Sequence, residues 1–284
     1  MSAVSAPTST ARPIVSITKG TAASDGDGVK LRRMIGGPGQ ASVDPFLMLD
    51  FFSSDEPSDY LGGFPNHPHR GFETVTYMLA GRMRHGDNKG HSGVIEAGGV
   101  QWMTAGRGLV HSEMPEQEHG LLQGFQLWVN LPARRKLTEP SYAEFPASAI
   151  PADTRPGAAI KVVAGRTSSG VQGPVKAEHV DARYFDVTLD PGAEIAEPLP
   201  PDHHGLLVVF EGALEVEGRT ADALSVAVLG PGEQLQAKAG AKGARFLLIA
   251  GRPLNEPVAW YGPFVMNTQA ELQQAFSDYQ AGRF

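Results

Sequence analysis

The chain has 284 residues, a formal net charge of −7 and no cysteine. That balance argues against direct binding to nucleic acid or an anionic membrane, which favour a basic face. The missing cysteines exclude disulfides and thiolate metal ligands.

Residues 1–12 are small and polar and read as a disordered tail. They hold no apolar leader segment, which together with the absent cysteines points to a cytoplasmic protein. From residue 13 to 131 the chain alternates short apolar runs with Gly, Pro and Asp. "VSITKG", "FETVTYMLAG", "HSGVIEAG", "VQWMTAG" and "GFQLWVNLP" all have strand character. Residues 132–157 carry five prolines and little periodicity, so they read as a connector. Strands resume over 158–266, in "AIKVVAG", "ARYFDVTL", "GLLVVFEGALEVEG", "ALSVAVLGPGEQLQA" and "ARFLLIAG". None of these runs is long enough to span a bilayer as a helix. Residues 267–284 differ. Thr268 stands three residues before Glu271, a capping box, and Leu272, Ala275, Phe276 and Tyr279 recur at helix spacing up to Gly282. This predicts one amphipathic helix, packed as a lid on a β domain.

The two strand-rich halves resemble each other. "VTYMLAGRMRHG" aligns on "LVVFEGALEVEG" with Gly81 on Gly212, a shift of 131 residues. "EAGGVQWMTAG" aligns on "GPGEQLQAKAG" with Gly98 on Gly232 and Gly106 on Gly240, a shift of 134. An all-β protein built from a duplicated small barrel fits this repeat.

The residues with chemistry lie in the first half. "NHPHRGFETVTY" places His67 and His69 at i and i+2, on one face of an extended segment, and Pro68 keeps His67 out of helix. "TAGRGLVHSEMP" places His111 and Glu113 at the same spacing after a Gly-rich turn. A lone His-x-His pair also occurs by accident in exposed loops. Two such pairs together offer three imidazole nitrogens and a carboxylate, a set suited to a first-row divalent ion with open positions. Left without a partner, four such groups would be costly to bury. The other histidines read as surface: His85 and His91 flank a hairpin-turn composition, and His119 and His179 have no apparent partner. Trp102, Met103, Phe125 and Trp128 read as core, with two or three able to wall a flat substrate. Arg107 reads as a surface residue. Carried onto the second half, the shifts place Pro198 and Pro200 at the first pair and Arg245 and Leu247 at the second. Of His203 and His204 at most one can point inward. The second barrel is therefore expected to hold no metal.

"HPHRGFETVTYMLAG", "GGVQWMTAGRGLVHSEMP", "LWVNLP" and "YGPFVMNT" followed by a helix resemble the pirins, a branch of the cupin superfamily. The resemblance runs from about residue 13 to residue 284. It implies two cupin barrels (double-stranded β-helices) facing each other, closed by C-terminal elements. It also implies an iron site in the first barrel, held by the residues matching His67, His69, His111 and Glu113. A quercetin 2,3-dioxygenase activity, shown by some bacterial members, is implied too, whereas an animal member is a nuclear transcription co-regulator. The chain departs from the general cupin motifs where pirins do: Gly81 falls one residue late, Gly106 replaces a Pro, and a terminal Asn is missing. Glu73, the general motif's carboxylate, then competes with Glu113 for the fourth ligand position. We favour Glu113, with Glu73 expected on the inner face near the metal or supporting a ligand.

The expected function is a dioxygenase on flavonol-type or other enolic aromatic molecules. It would use one divalent transition metal per chain, Fe(II), with O2 as co-substrate and Glu113 as both ligand and base. Two alternatives share the ligands: a redox-responsive iron protein read by a protein partner, and a metal-dependent hydrolase or isomerase.

Overall fold

The computed structural model describes residues 10–39 and 41–284. It is a protein of antiparallel sheets with one α-helix, arranged as two cupin barrels packed face to face. The first barrel joins a seven-stranded sheet to a four-stranded one. The larger sheet runs in the order Ser141–Phe145, Val100–Thr104, Phe72–Ala80, Leu122–Asn130, Phe46–Ser54, Val29–Ile35, Thr21–Asp25. The smaller runs Phe64–His69, Leu109–Pro115, Arg82–Asp87, Ser92–Glu96. The second barrel is one nine-stranded sheet folded around the long strands His204–Val216 and Gln234–Gly251.

Alternation along the strands explains how the barrels meet. In "GLLVVF", Leu206, Val208 and Phe210 face the first barrel, while Leu207 and Val209 fill their own interior. A strand buried on both faces has no polar face, hence the continuous apolar run. In the first barrel Val75, Tyr77, Phe125 and Leu127 make the matching surface. Tyr77 donates from its hydroxyl to Asp186 of the second barrel at 2.8 Å, and Arg245 grips the same carboxylate. The aligned turn glycines, Gly81 (φ +80) and Gly212 (φ +69), both take the left-handed conformation. A Cβ on Gly212 would also lie 2.1 Å from the Gly243 carbonyl oxygen.

Several expected boundaries differ from the structure. Of the tail, residues 1–9 lie outside the described residues, but Thr10 to Arg12 are packed against the second barrel. Arg12 is buried and donates to the carbonyls of His203 and Pro200. The strand Ile14–Lys19 pairs with Ser225–Leu229, so it belongs to the second barrel and not to a 13–131 unit. The expected 132–157 connector contributes a strand to each barrel: Ser141–Phe145 pairs with Val100–Thr104, and Ala152–Arg155 with Ala158–Ala164. Both are edge strands, where the flanking Pro140, Pro146 and Pro151 are tolerated.

The helix Gln269–Gln280 starts at the expected capping box. Leu272 and Ala275 pack on the hairpin of Ala259–Tyr261 and Phe264–Met266. The segment returns to the first barrel, where Arg70 donates to Asp278 at 2.7 Å and lies over the Phe284 ring. The two ends of the chain thus cross over. The first strand completes the second barrel, and the last helix covers the first.

Candidate metal centre

The strands Phe64–His69 and Leu109–Pro115 pair antiparallel with His111 opposite His67 and Leu109 opposite His69. This register converges the three imidazoles. Among the described residues, one nitrogen from each of His67, His69 and His111 forms a group within 4.8 Å of one another. His67 Nε2 and His69 Nε2 are 3.0 Å apart. His69 and His111 are buried, and His67 faces a cavity of about 730 Å³.

The electrostatics favour lone pairs over protons. Burial, reinforced by the neighbouring imidazoles, pushes His69 well below the ordinary histidine value. Burial brings His111 down to about 4, against the pull of Glu113. His67 Nδ1 lies 2.9 Å from the Pro65 carbonyl, which can only accept, so that nitrogen carries a hydrogen and Nε2 is the one turned toward His69. Among the described residues neither nitrogen of His111 has a hydrogen-bond partner, and each buried orphan costs roughly 1–3 kcal/mol. A divalent transition ion fits this donor set: three imidazole nitrogens, and an open side toward the cavity.

Glu113 lies on the same strand face as His111 but is not part of that group. Its Oε1 accepts from the Thr76 hydroxyl at 2.7 Å and its Oε2 from the Gln126 amide at 2.6 Å. The ladder is irregular here. Glu113 pairs with Phe64 and His111 with His67, so three steps on one strand face two on the other. Pairing on the other side stays regular, which puts the bulge at Pro65 and Asn66.

Glu73 is not where the sequence reading placed it. On the strand Phe72–Ala80 Thr76 points to Glu113 in the barrel interior, so Glu73, at odd separation, points out of it. Its carboxylate accepts from Trp102 Nε1 at 3.0 Å and the Thr104 hydroxyl at 2.7 Å, beside Lys176 and His179 of the second half. Burial there raises its pKa. It neither meets the histidines nor supports one.

His85, expected at the surface, is buried, with Nε2 2.7 Å from a Glu144 oxygen and Tyr142 stacked on its ring. It faces inward because it is cross-strand to Glu113. His179 is half-buried in the cleft beside Glu73 rather than fully at the surface. His91 and His119 are exposed, and Arg107 is an exposed partner of Glu139. Trp102 and Phe125 belong to the core between the barrels, whereas Trp128 lines the cavity with its ring 5.1 Å from that of His69. Trp260, Met48 and Phe64 complete the apolar walls. Gln126 escaped the sequence reading, although an amide inside "GFQLWVNLP" is a signal: a polar residue in a buried strand has a partner. Trp260 carried no such signal.

The second barrel's register corrects the repeat alignment. Pro115 pairs with Met83, and Ala239 pairs with Leu214, the residue aligned with Met83. The late shift is therefore 124, not 134, because the counterparts of Leu109–Pro115 and Leu122–Asn130 are fused in the single strand Gln234–Gly251. His111 then corresponds to Leu235 and Glu113 to Ala237. Leu235 pairs with Glu197 as His111 pairs with His67, which puts Leu199 at His69. His203 is buried and His204 exposed.

Comparison with known proteins agrees with this architecture. Residues 28–129 match the Pirin family and residues 184–284 the Pirin C-terminal cupin domain. A pirin-like protein of Caulobacter vibrioides is 56% identical over 274 residues, 96% of this chain and 99% of its own. A pirin-like protein of Solanum lycopersicum is 46% identical over 276 residues, 96% of this chain and 92% of its own. The solved structure of a quercetin 2,3-dioxygenase from Acinetobacter baumannii superposes with a TM-score of 0.88 at 33% identity, covering 96% of this chain and 98% of its own.

Proposed function

Because the chain belongs to the pirin family, we propose that it is a metal-dependent dioxygenase of flavonol-type or other enolic aromatic molecules. One observation carries this reading. Three imidazoles converge beside an aromatic-walled cavity of about 730 Å³, a volume suited to a drug-sized ligand, and both nitrogens of His111 have no hydrogen-bond partner among the described residues. His67, His69 and His111 would hold one divalent ion, and Glu113 would be a fourth ligand on releasing Thr76 or Gln126. Bound Fe(II) would supply a Lewis-acidic centre and the one-electron chemistry that lets a spin-paired molecule react with O2.

The chain's own residues do the rest. Trp128 and Trp260 flank a flat ring system and exclude water, with Met48 and Phe64 closing the walls. Glu113 accepts the proton from the enolic hydroxyl, making the substrate the electron-rich partner. Whichever of Thr76 and Gln126 keeps its bond to Glu113 holds the carboxylate oriented for that proton. Glu113 stands two residues after His111 on the strand Leu109–Pro115, which supports a role beside the ligand group. Among the described residues no helix is long and apolar enough to cross a membrane.

The test is anaerobic reconstitution with Fe(II) followed by oxygen-electrode assay with a flavonol. The expected result is O2 uptake equal to flavonol loss. Metal-loaded protein that consumes neither overturns the reading. Substrate turnover without O2 uptake moves the reaction to the hydrolase or isomerase class.

A further inference from the structure

The proposed reaction occupies the inner end of the cavity and leaves its outer end without a task. There Arg33 donates from Nε and Nη2 to the two oxygens of Asp50, at 2.9 and 2.8 Å, and from Nη2 to Asp25 at 2.9 Å. Asp50 is buried and the Asp25 side chain is 53% exposed, so this line runs from the interior to the surface. Asp27 lines the same end, and its carboxylate has no hydrogen-bond partner among the described residues. The line is also tied to the reacting end. Arg33, Asp50, Gln126 and Thr76 are successive cross-strand partners on one rung of the larger sheet, and the last two hold Glu113.

Charge decides what such a mouth admits. The guanidinium is engaged by Asp50 in two parallel bonds, the strongest arrangement open to it. Asp25 and Asp27 then leave the mouth net negative. An arriving carboxylate or sulfonate is repelled, over a range of about 8 Å at physiological salt. An arriving hydroxyl finds carboxylate oxygens with lone pairs to spare.

We propose that this acidic mouth selects the substrate: a neutral, planar polyphenol whose hydroxyls farthest from the imidazoles donate to Asp50, Asp25 and Asp27, with anionic conjugates excluded. The inference rests on the flavonol reading and adds to it a substrate class and the residues that enforce it. A site built to accept hydrogen bonds discriminates against ligands that lack donors, because its polar groups are then left unpaired.

The experiment titrates metal-loaded protein, without oxygen, against three flavonols by fluorescence quenching. Galangin has no hydroxyl on its pendant ring, quercetin has two, and quercetin sulfonate adds a negative charge. For the wild-type chain the expected Kd of quercetin is about 10-fold below that of galangin, and that of the sulfonate about 10-fold above it. The double variant Asp25→Asn, Asp27→Asn changes two exposed side chains and so keeps the fold. It should erase most of the sulfonate penalty and move galangin less than about twofold. A sulfonate that binds the wild-type chain as tightly as quercetin overturns the inference, and so does an unchanged penalty in the variant. Equal binding of all three flavonols sinks the inference but keeps the flavonol reading. No binding of galangin sinks both.

Discussion

At the converging strand ends of the first barrel stand His67, His69, His111 and Glu113; at the matching register of the second stand Glu197, Leu199, Leu235 and Ala237. Both places contain a buried polar group, but the groups are satisfied differently. Glu197 accepts from the backbone and hydroxyl of Ser168 and pairs with Arg155, so the chain supplies its own cation. Both nitrogens of His111 have no partner among the described residues. A binding site is legible as a deficit: buried donors or acceptors that the fold leaves open for something else. Around Glu197 the second barrel is filled by Leu207, Val209, Phe246 and Leu248, which gain stability from burial. The first barrel gives up that gain at its centre and is held by the apolar face it shares with the second.

The sharpest way to break this contrast is to count metals. We expect one transition ion per chain by elemental analysis, lost completely with O2-dependent turnover in His111→Ala and unaffected by Glu197→Gln. Metal that binds only the folded state raises Tm, so a chelator should lower Tm in the wild-type chain and not in His111→Ala. Two ions per chain would end the comparison.

The next largest effect should fall on the second barrel. Phe246 is fully buried in its interior, and Phe246→Ala should cost about 3–5 kcal/mol in denaturant unfolding. The refolded variant should still bind one metal with unchanged affinity. Weakened binding would mean that the second barrel shapes the site directly.

Within the first barrel, Glu113→Gln should lower flavonol turnover at saturating metal by about 10²-fold, with part recovered at higher pH as more substrate ionises. Glu73→Gln is the control, because Glu73 faces Trp102 and Thr104 outside the barrel. Equal losses from the two variants would show that neither acts as a base.

The smallest effect is a pH dependence to which His111 of the first barrel contributes. His111 has an ordinary value of 6.5 and is brought to about 4 by burial. Between these values the unfolded chain binds the proton and the folded chain does not. Stability of the metal-free protein is therefore full above pH 6.5 and falls with acidification until about pH 4. The loss on going from pH 6.5 to 5 should be about 1.5 kcal/mol from this residue, read by unfolding at each pH. His111→Gln should flatten that part of the slope, and Phe246→Ala should leave it in place.

Local pattern carried much of this protein. The i, i+2 spacing of His67 with His69 and of His111 with Glu113 fixes a shared face wherever those segments are extended. Thr268 and Glu271 mark a helix start because both bonds of the capping box lie within four residues. Turn glycines and short apolar alternations predict sheets for a similarly local reason. Other features depended on partners distant in sequence. Glu73 was misplaced because a strand buried on both faces gives no polarity signal, and parity alone cannot say which face is inside until a neighbour such as Glu113 fixes it. The slip of ten residues in the repeat came from two strands fused into Gln234–Gly251, visible only in the pairing. Trp260 reaches the cavity, and Ile14–Lys19 the second barrel, through contacts nearly two hundred residues or more away along the chain. Sequence periodicity reports what a residue does relative to its near neighbours; only the closed barrels decide which face becomes the interior and which of its polar groups are left open.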